Sequence, residues 1–307
     1  MKSLKSNFGI MTDDVIKKFI DNKIVFSNKR ILTNQIQPAS LDLRLGEKAW
    51  RVRSSFLPGP EQKVLDKIKQ LEMHEIDLTS GSVLEKGCVY IAQVEESLNL
   101  PDDFSATSNP KSSTGRLDIF TRLISDNAVE FEKVSNGYSG PLYIEISPRT
   151  FSILVRTGSK LNQIRFRKGN LVLDDDETIK LHKKLKLLSG YNGKIDIRDG
   201  IPLTLDLKGN KEGLVGFRAR KHTTLIDVDK VASYKKDSFW EKITIRDIID
   251  HGLVLNQDEF YILSSRETVS IPKSFAAEMR AYDTRVGEFR AHYAGFFDPG
   301  FGLKELG

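Results

Sequence analysis

Residues 90–106 read YIAQVEESLNLPDDFSA, and residues 261–277 read YILSSRETVSIPKSFAA. Tyr90, Ile91, Glu96, Pro101, Phe104 and Ala106 meet Tyr261, Ile262, Glu267, Pro272, Phe275 and Ala277 in one register, 171 positions apart. A second pair sets Pro38-Ala39-Ser40-Leu41-Asp42-Leu43-Arg44 against Pro202-Leu203-Thr204-Leu205-Asp206-Leu207-Lys208. A duplication constrains the fold strongly, because one supersecondary plan has to serve both halves. The length of 307 residues agrees, since it suggests about two domains. The sequence therefore divides into a first repeat at 1–173, a linker at 174–200 and a second repeat at 201–307.

Each copy is made of short apolar or alternating runs broken by turn residues, as at Leu142–Ile146, Phe151–Val155, Ile164–Phe166, Leu171–Leu173 and Phe260–Leu263. Such runs at close spacing predict strands of a sandwich or barrel rather than βαβ units. Helical signal is sparse. Thr12-Asp13-Asp14 predicts a capped helix through Ile20, and Ile243–His251 reads similarly. Pro58-Gly59-Pro60 reads as a loop leading into a helical insert that ends near Lys69. The charged segment between the copies predicts a short helix around Lys180–Leu187.

Composition excludes several classes. Hydrophobic residues at 39% and charged residues at 29% describe an ordinary globular chain. The net charge of +5, from 47 Lys and Arg against 42 Asp and Glu, fits an anionic ligand and fits solubility equally. No basic run is interleaved with aromatics, so a nucleic-acid groove is not expected. Met1 to Asp13 carries no apolar core of signal-peptide length. No window reaches about 18 uninterrupted apolar residues, so no membrane partner is expected and the default address is the cytoplasm. Cys88 is the single cysteine, which rules out an internal disulfide. In the run Cys88-Val89-Tyr90-Ile91-Ala92 it reads as a buried structural thiol.

Three signals bear on chemistry. Lys111-Ser112-Ser113-Thr114-Gly115-Arg116 gathers hydroxyls and cations of the kind that hold a polyphosphate. It lacks the P-loop spacing, and on composition alone a solvated turn is the commoner reading. Gly137-Tyr138-Ser139-Gly140-Pro141 leads into the run Leu142-Tyr143-Ile144-Glu145-Ile146. Leu142, Ile144 and Ile146 share one face, so Tyr143 and Glu145 share the other. A carboxylate on a partly apolar face can serve as a general base, although a solvent-facing Glu is commoner. The third signal is negative: His-x-Glu with Pro-Cys-x-x-Cys, the zinc deaminase signature, is missing. His74, His182, His222, His251 and His292 have no metal-ligand spacing and read as surface or packing residues.

Together these residues resemble the dCTP deaminases of the dUTPase superfamily, the branch without a metal site, in a long double-repeat bacterial form. Gln37-Pro38-Ala39-Ser40-Leu41-Asp42-Leu43-Arg44-Leu45-Gly46 is similar to that family's first motif. Ser112-Ser113-x-x-Arg116 is similar to its phosphate and catalytic motif. Gly137-Tyr138-Ser139-Gly140 with Glu145 resembles the motif of its catalytic glutamate, and Gly158 to Phe166 with Gln163 resembles its closing strand. The resemblance covers roughly 12–170 and 200–302. It implies an all-β fold: two tandem dUTPase-like distorted jelly-roll β-barrel repeats with few short helices.

The activity implied is hydrolytic deamination of dCTP to dUTP and ammonia, with dUTP or dTTP as product or regulator. Glu145 is implied as general base, Ser112 as the group orienting water and the 4-substituent, and Arg116 as the charge held at the site. Lys111 and Ser113 are implied to face the triphosphate, with Gly137, Tyr138 and Gln163 completing the nucleotide site. Mg²⁺ accompanies the triphosphate and zinc is not expected. Sites of the family lie between subunits, which implies a homo-oligomer of trimer-related symmetry.

Two other functions compete. A dUTP diphosphatase, alone or beside deamination, resembles a site with a carboxylate three residues before the Tyr of the turn, where this sequence has Ser135. A silent nucleotide-binding regulator is suggested by the second copy. Aligned on Arg285-Val286-Gly287, that copy has Ala281 and Tyr282 at the two serine positions. Ala294 with Asp298-Pro299-Gly300-Phe301-Gly302 resembles the family's Asp-Pro-Gly turn. As given, the sequence reaches Gly307 before a counterpart of Glu145, so copy two is expected either to be a structural partner or to lend Arg285 to a site elsewhere.

Overall fold

The computed structural model describes residues 8–191, 195–280 and 295–303. Ala281, Tyr282, Arg285, Val286, Gly287, His292 and Ala294 lie outside them, as do Met1 to Asn7. The chain divides into two compact units. The first comprises Met1–Leu171, Thr224–Val231 and His292–Phe296, and the second comprises Val172–Thr223, Ala232–Ala291 and Phe297–Gly307.

The first unit opens with α1 (Asp13–Asp21). Thr12 takes the N-cap position in an extended conformation, but its hydroxyl makes no cap bond. Its carbonyl instead accepts from Val15 N and Ile16 N, and Asp13 and Asp14 face the positive end of the helix dipole. Val15, Ile16 and Phe19 are buried. Phe19 meets Phe104 and Phe166 edge-on at 5.1 and 5.5 Å, and burying such a ring contributes about 1.5–3 kcal/mol.

The body of this unit is two six-stranded sheets. Its main strands are β1 (Ser40–Leu43), β2 (Leu45–Val52), β3 (Glu72–Asp77), β4 (Val89–Asn99), β5 (Phe104–Pro110), β6 (Ile119–Ser125), β7 (Ser139–Pro148), β8 (Ile153–Val155) and β9 (Asn162–Lys168). One sheet runs Lys133–Val134, β5, β9, β1, Ile36–Gln37, with Gly9–Ile10 added to β9. The other runs β6, β7, β4, β2, β3, with Val25–Phe26 added to β4. All the pairings within these two sheets are antiparallel, as expected of a jelly roll rather than of βαβ units. The predicted insert forms α2 (Val64–Leu71), whose Val64 and Ile68 are buried. Strand β8 lies outside both sheets, in a smaller one between Ser82–Leu84, antiparallel to it, and Ile226–Asp227, parallel to it. Asp227 there takes two hydrogen bonds of 2.9 Å from Arg156.

The second unit is mostly short strands. Leu214–Ala219 pairs with Trp240–Thr244 and Tyr261–Leu263, and Leu188–Ser189 pairs with Thr268–Val269. No helix among the described residues is long and apolar enough to cross a membrane.

Four local expectations are corrected. Leu171–Leu173 is exposed coil rather than strand, because β9 has already ended at Lys168 and these three residues pair with no strand. Ile243–His251 is no α-helix: Ile245–Asp247 makes a single 3-10 turn, and Ile248–Ile249 and Gly252–Leu253 pair across Asp250 and His251, both at positive φ, the backbone of a tight hairpin turn. The helix expected around Lys180–Leu187 runs instead over Asp175–Leu185. Asp174 starts it by accepting from Glu177 N while the Glu177 carboxylate accepts from Asp174 N, a reciprocal cap. Cys88 is partly exposed rather than buried, because β4 begins one residue later, at Val89.

Candidate active site

Glu145 sits in mid-strand on β7. Arg122 of β6 pairs with it on one side and Ile91 of β4 on the other, and Ile91 pairs in turn with Trp50 of β2. Residues opposite one another in antiparallel strands share a face, so these four form a row across the sheet. That face is not open to solvent. Trp50, Val52, Ile91, Ile124 and Tyr143 pack there with Val64 and Ile68 of the helical insert, and Phe56 and Phe131 close against them. Glu145 is accordingly 1% exposed, which removes the solvent-facing reading of this residue.

A buried carboxylate needs a partner, and Arg122 supplies one. Its Nη2 and Nε donate to Glu145 Oε1 at 2.7 and 3.1 Å. The Nη2 also donates to Ser55 Oγ at 2.8 Å. The guanidinium carbon lies 3.5 Å from the ring centroid of Phe131 and 4.9 Å from that of Phe120. Glu145 Oε2 is buried and has no hydrogen-bond partner. The carboxylate therefore has one oxygen held by Arg122 and one buried oxygen whose acceptor capacity is unused.

A second carboxyl shares the neighbourhood, one that no sequence motif singles out. Glu132 accepts from Leu123 N at 3.2 Å through its carboxylate. Burial pushes its carboxyl up to about 8, against hydrogen bonds from Leu123 and Ser108 and the nearby positive charge of Arg122, while Glu145 adds to the rise. Glu132 thus holds its proton to a higher pH than an ordinary glutamate. In the sequence it is one of several charged residues in Asn127–Lys133, and no spacing sets it apart.

The Lys111–Arg116 segment follows the end of β5. Ser112–Gly115 forms a single helical turn, α3, held by Thr114 Oγ1 donating to Leu161 O at 2.8 Å. Ser112, Ser113 and Arg116 are exposed. Lys111 is pinned at both ends: its N donates to Leu161 O at 2.8 Å, and its Nζ pairs with Asp42. Lys160 approaches the same carboxylate at 3.9 Å. Asp42 Oδ1 remains buried without a partner. Gln163 stands opposite Asp42 on β9, accepts from Ser40 Oγ at 3.1 Å and donates to Pro110 O at 3.4 Å.

The turn entering β7 is fixed by its own chemistry. Gly137 has φ +69°, a left-handed conformation that strains any residue with a side chain. The Tyr138 hydroxyl donates to Pro141 O at 2.6 Å and accepts from Asp126 N at 3.2 Å, while burial holds its proton on. Tyr138 thus serves the hairpin through its polar end.

Lys111, Gln163, Asp42 and Ser40 come together on the first sheet, and Glu145 and Arg122 on the second. The hydrogen bonds that Glu145 makes come from Arg122, not from Ser112 or Arg116. Strand β6 leaves the α3 turn at Ile119, opposite Pro148, three rungs or roughly 10 Å from Glu145 along the strand. Among the described residues no three His, Cys, Asp or Glu side chains converge as a metal cage.

Residues 7–170 match the family model of the 2'-deoxycytidine 5'-triphosphate deaminase N-terminal domain, and residues 174–307 match that of its C-terminal domain. The crystal structure of 2'-deoxycytidine 5'-triphosphate deaminase from Agrobacterium tumefaciens superposes with a TM-score of 0.91 at 53% identity, covering 97% of this chain and 88% of that one. A dCTP deaminase of Halorubrum lacusprofundi is 26% identical over 161 residues, 51% of this chain and 76% of that protein. A "dCTP deaminase, dUMP-forming" of Dictyoglomus thermophilum is 29% identical over 163 residues, 52% of this chain and 80% of that protein.

Proposed function

The chain belongs to the 2'-deoxycytidine 5'-triphosphate deaminase family, and from this premise we propose that Glu145 drives hydrolysis of the 4-amino group of dCTP. The observation that carries the reading is the asymmetry of its carboxylate. Oε1 is held by Arg122, while Oε2 is buried with no hydrogen-bond partner. Water placed against Oε2 loses a proton to it and attacks C4 of the cytosine ring. The same oxygen passes that proton to ring N3, then takes the remaining proton of the new C4 hydroxyl and hands it to the departing amine as the C4 carbonyl forms. The C4–N bond breaks and ammonia leaves. One water is consumed, dCTP becomes dUTP, and Glu145 returns to its starting state.

Ser112 orients the water and the 4-substituent, and Arg116 holds charge beside them. Lys111 and Ser113 meet the triphosphate, with Gly137, Tyr138 and Gln163 shaping the nucleotide's seat. Ser112 and Arg116 are exposed and are not bonded to Glu145 within the chain. This supports a site completed between subunits of a homo-oligomer with trimer-related symmetry. Asp42 is the buried carboxylate of the phosphate region, and Lys111 already pairs with it. A divalent cation therefore enters as the substrate's own magnesium–triphosphate complex, a common habit of Mg²⁺, and the protein binds that complex through cations and hydroxyls.

Ser135 stands where a diphosphatase would need a carboxylate, so dUTP is released intact. The test is to incubate the purified chain with Mg²⁺ and either dCTP or dUTP, and to resolve the products by chromatography. dUTP and ammonia from dCTP, with dUTP unchanged, is the expected result. dUMP and pyrophosphate from either nucleotide would place the chain with the dUMP-forming relatives, and unchanged dCTP would end the deaminase reading.

A further inference from the structure

We infer that Arg122 is the positioning residue of the reaction, turning Glu145 so that one oxygen is occupied and the other faces the substrate water, with the Phe131–Glu132 corner holding Arg122 in place. The inference rests on Glu145 acting as general base and goes beyond it to what aims that base.

A guanidinium meeting a carboxylate commonly engages both oxygens, in two parallel N–H···O bonds. Here the fork closes on one. Both Nη2 and Nε donate to Oε1, at 2.7 and 3.1 Å, and Oε2 is left buried without a partner. An ion pair present only for stability has no reason to leave that oxygen unanswered, because buried pairs stabilise poorly unless every lone pair is satisfied.

The guanidinium is held from three directions. The sheet register sets Arg122 opposite Glu145. Ser55 Oγ accepts from Nη2 at 2.8 Å. The Phe131 ring covers the guanidinium plane at 3.5 Å, an attraction between cation and ring face that strengthens away from water.

The corner that brings Phe131 there is itself unusual. Glu132 lies in the left-handed region at φ +66°, which a residue with a side chain rarely adopts. Its N donates to Leu123 O at 3.0 Å, and its carboxylate accepts from Leu123 N. Residue 132 is thereby locked to the strand position next to Arg122. Burial favours the neutral form of the Glu132 carboxyl, which weakens its pull on the guanidinium beside it.

The test uses the full chain with dCTP as substrate. Arg122→Ala should lower kcat by about 10²-fold, the cost of a misplaced reacting group, with KM within about threefold of the parent. Added guanidinium ion should restore part of the lost kcat. Arg122→Lys should fall between the two, since one ammonium cannot reproduce the pair of bonds to Oε1. Phe131→Leu keeps an apolar side chain of similar bulk and guards against a variant that fails to fold; it should lower kcat several-fold with KM unchanged.

An Arg122→Ala chain with parental kcat, or one whose loss lies entirely in KM, overturns the positioning role while the parent's activity leaves Glu145 as base intact. A lost kcat that guanidinium does not restore, with Phe131→Leu fully active, overturns it as well. A parent chain that leaves dCTP unchanged overturns both readings together.

Discussion

A carboxylate sealed from water carries a penalty of several kcal/mol unless the protein answers its charge, and Glu145 is answered on one oxygen only. Glu145→Gln tests what the other oxygen does. The amide keeps the shape and a hydrogen bond but cannot take a proton, so turnover should fall by about 10²–10⁴-fold. Equilibrium binding of dCTP should persist, and a variant turning over near the parental rate would remove Glu145 as the base. Glu132 makes a separate prediction about stability. Its carboxyl rises from the ordinary 4.5 to about 8 through burial. The folded chain therefore keeps a proton that the unfolded chain releases at lower pH. The stabilisation from that proton is complete below about 4.5, declines as pH rises, and is gone once pH passes about 8. Glu132→Gln carries no such proton. The Tm of that variant relative to the parent should climb between pH 5 and pH 8 and level off above, because titrating groups remote from residue 132 cancel in the difference. A difference that stays constant across this range would show that the carboxyl is not buried as described.

At the scale of elements, legibility depends on whether the determining interaction lies near in sequence. Leu142, Ile144 and Ile146 alternate with Tyr143 and Glu145, and that local period is enough to put Glu145 on the face opposite the aliphatic row. What covers that face is not readable from the sequence. The helical insert Val64–Leu71 and the ring of Phe131 reach it through tertiary packing, and no local pattern announces a distant lid. The Asp174-x-x-Glu177 cap is present in the sequence, and it starts the helix at Asp175, ahead of the expected Lys180. Asp250 and His251 make a hairpin turn by adopting positive φ, a conformation their neighbours give no hint of, and the flanking apolar residues alone suggest a helix. Arg122 is hidden for a similar reason. It stands 23 residues before Glu145, and only the antiparallel register makes them partners.

At the scale of the whole molecule, the duplication survives in hydrogen bonds that the two units make independently. The Tyr90 hydroxyl accepts from Glu85 N at 3.0 Å in the first unit, and the Tyr261 hydroxyl accepts from Asn256 N at 3.0 Å in the second. Phe104 N donates to Pro101 O, and Phe275 N to Pro272 O. Leu100 N donates to Tyr138 O at 2.8 Å, and Ile271 N to Phe301 O at 2.8 Å. Glu96 and Glu267 are both buried, the first taking bonds from Gln35 and Arg44, the second from Thr204. These are contacts that set a fold, and they account for the shared Pro, Phe, Tyr and Glu without any catalytic demand. The hydroxyl motif took a different course: Ser112 and Ser113 of the first copy have Ala281 and Tyr282 as counterparts. A repeat that keeps its scaffold bonds and lacks the hydroxyls proposed to meet phosphate should support a site without containing one. Titration with a non-hydrolysable dCTP analogue should then saturate at one nucleotide per chain. Arg116→Ala should abolish deamination, and Arg285→Ala should leave it nearly unchanged. Two nucleotides per chain, or a loss in Arg285→Ala as deep as in Arg116→Ala, would show that the second repeat lends its arginine to the chemistry.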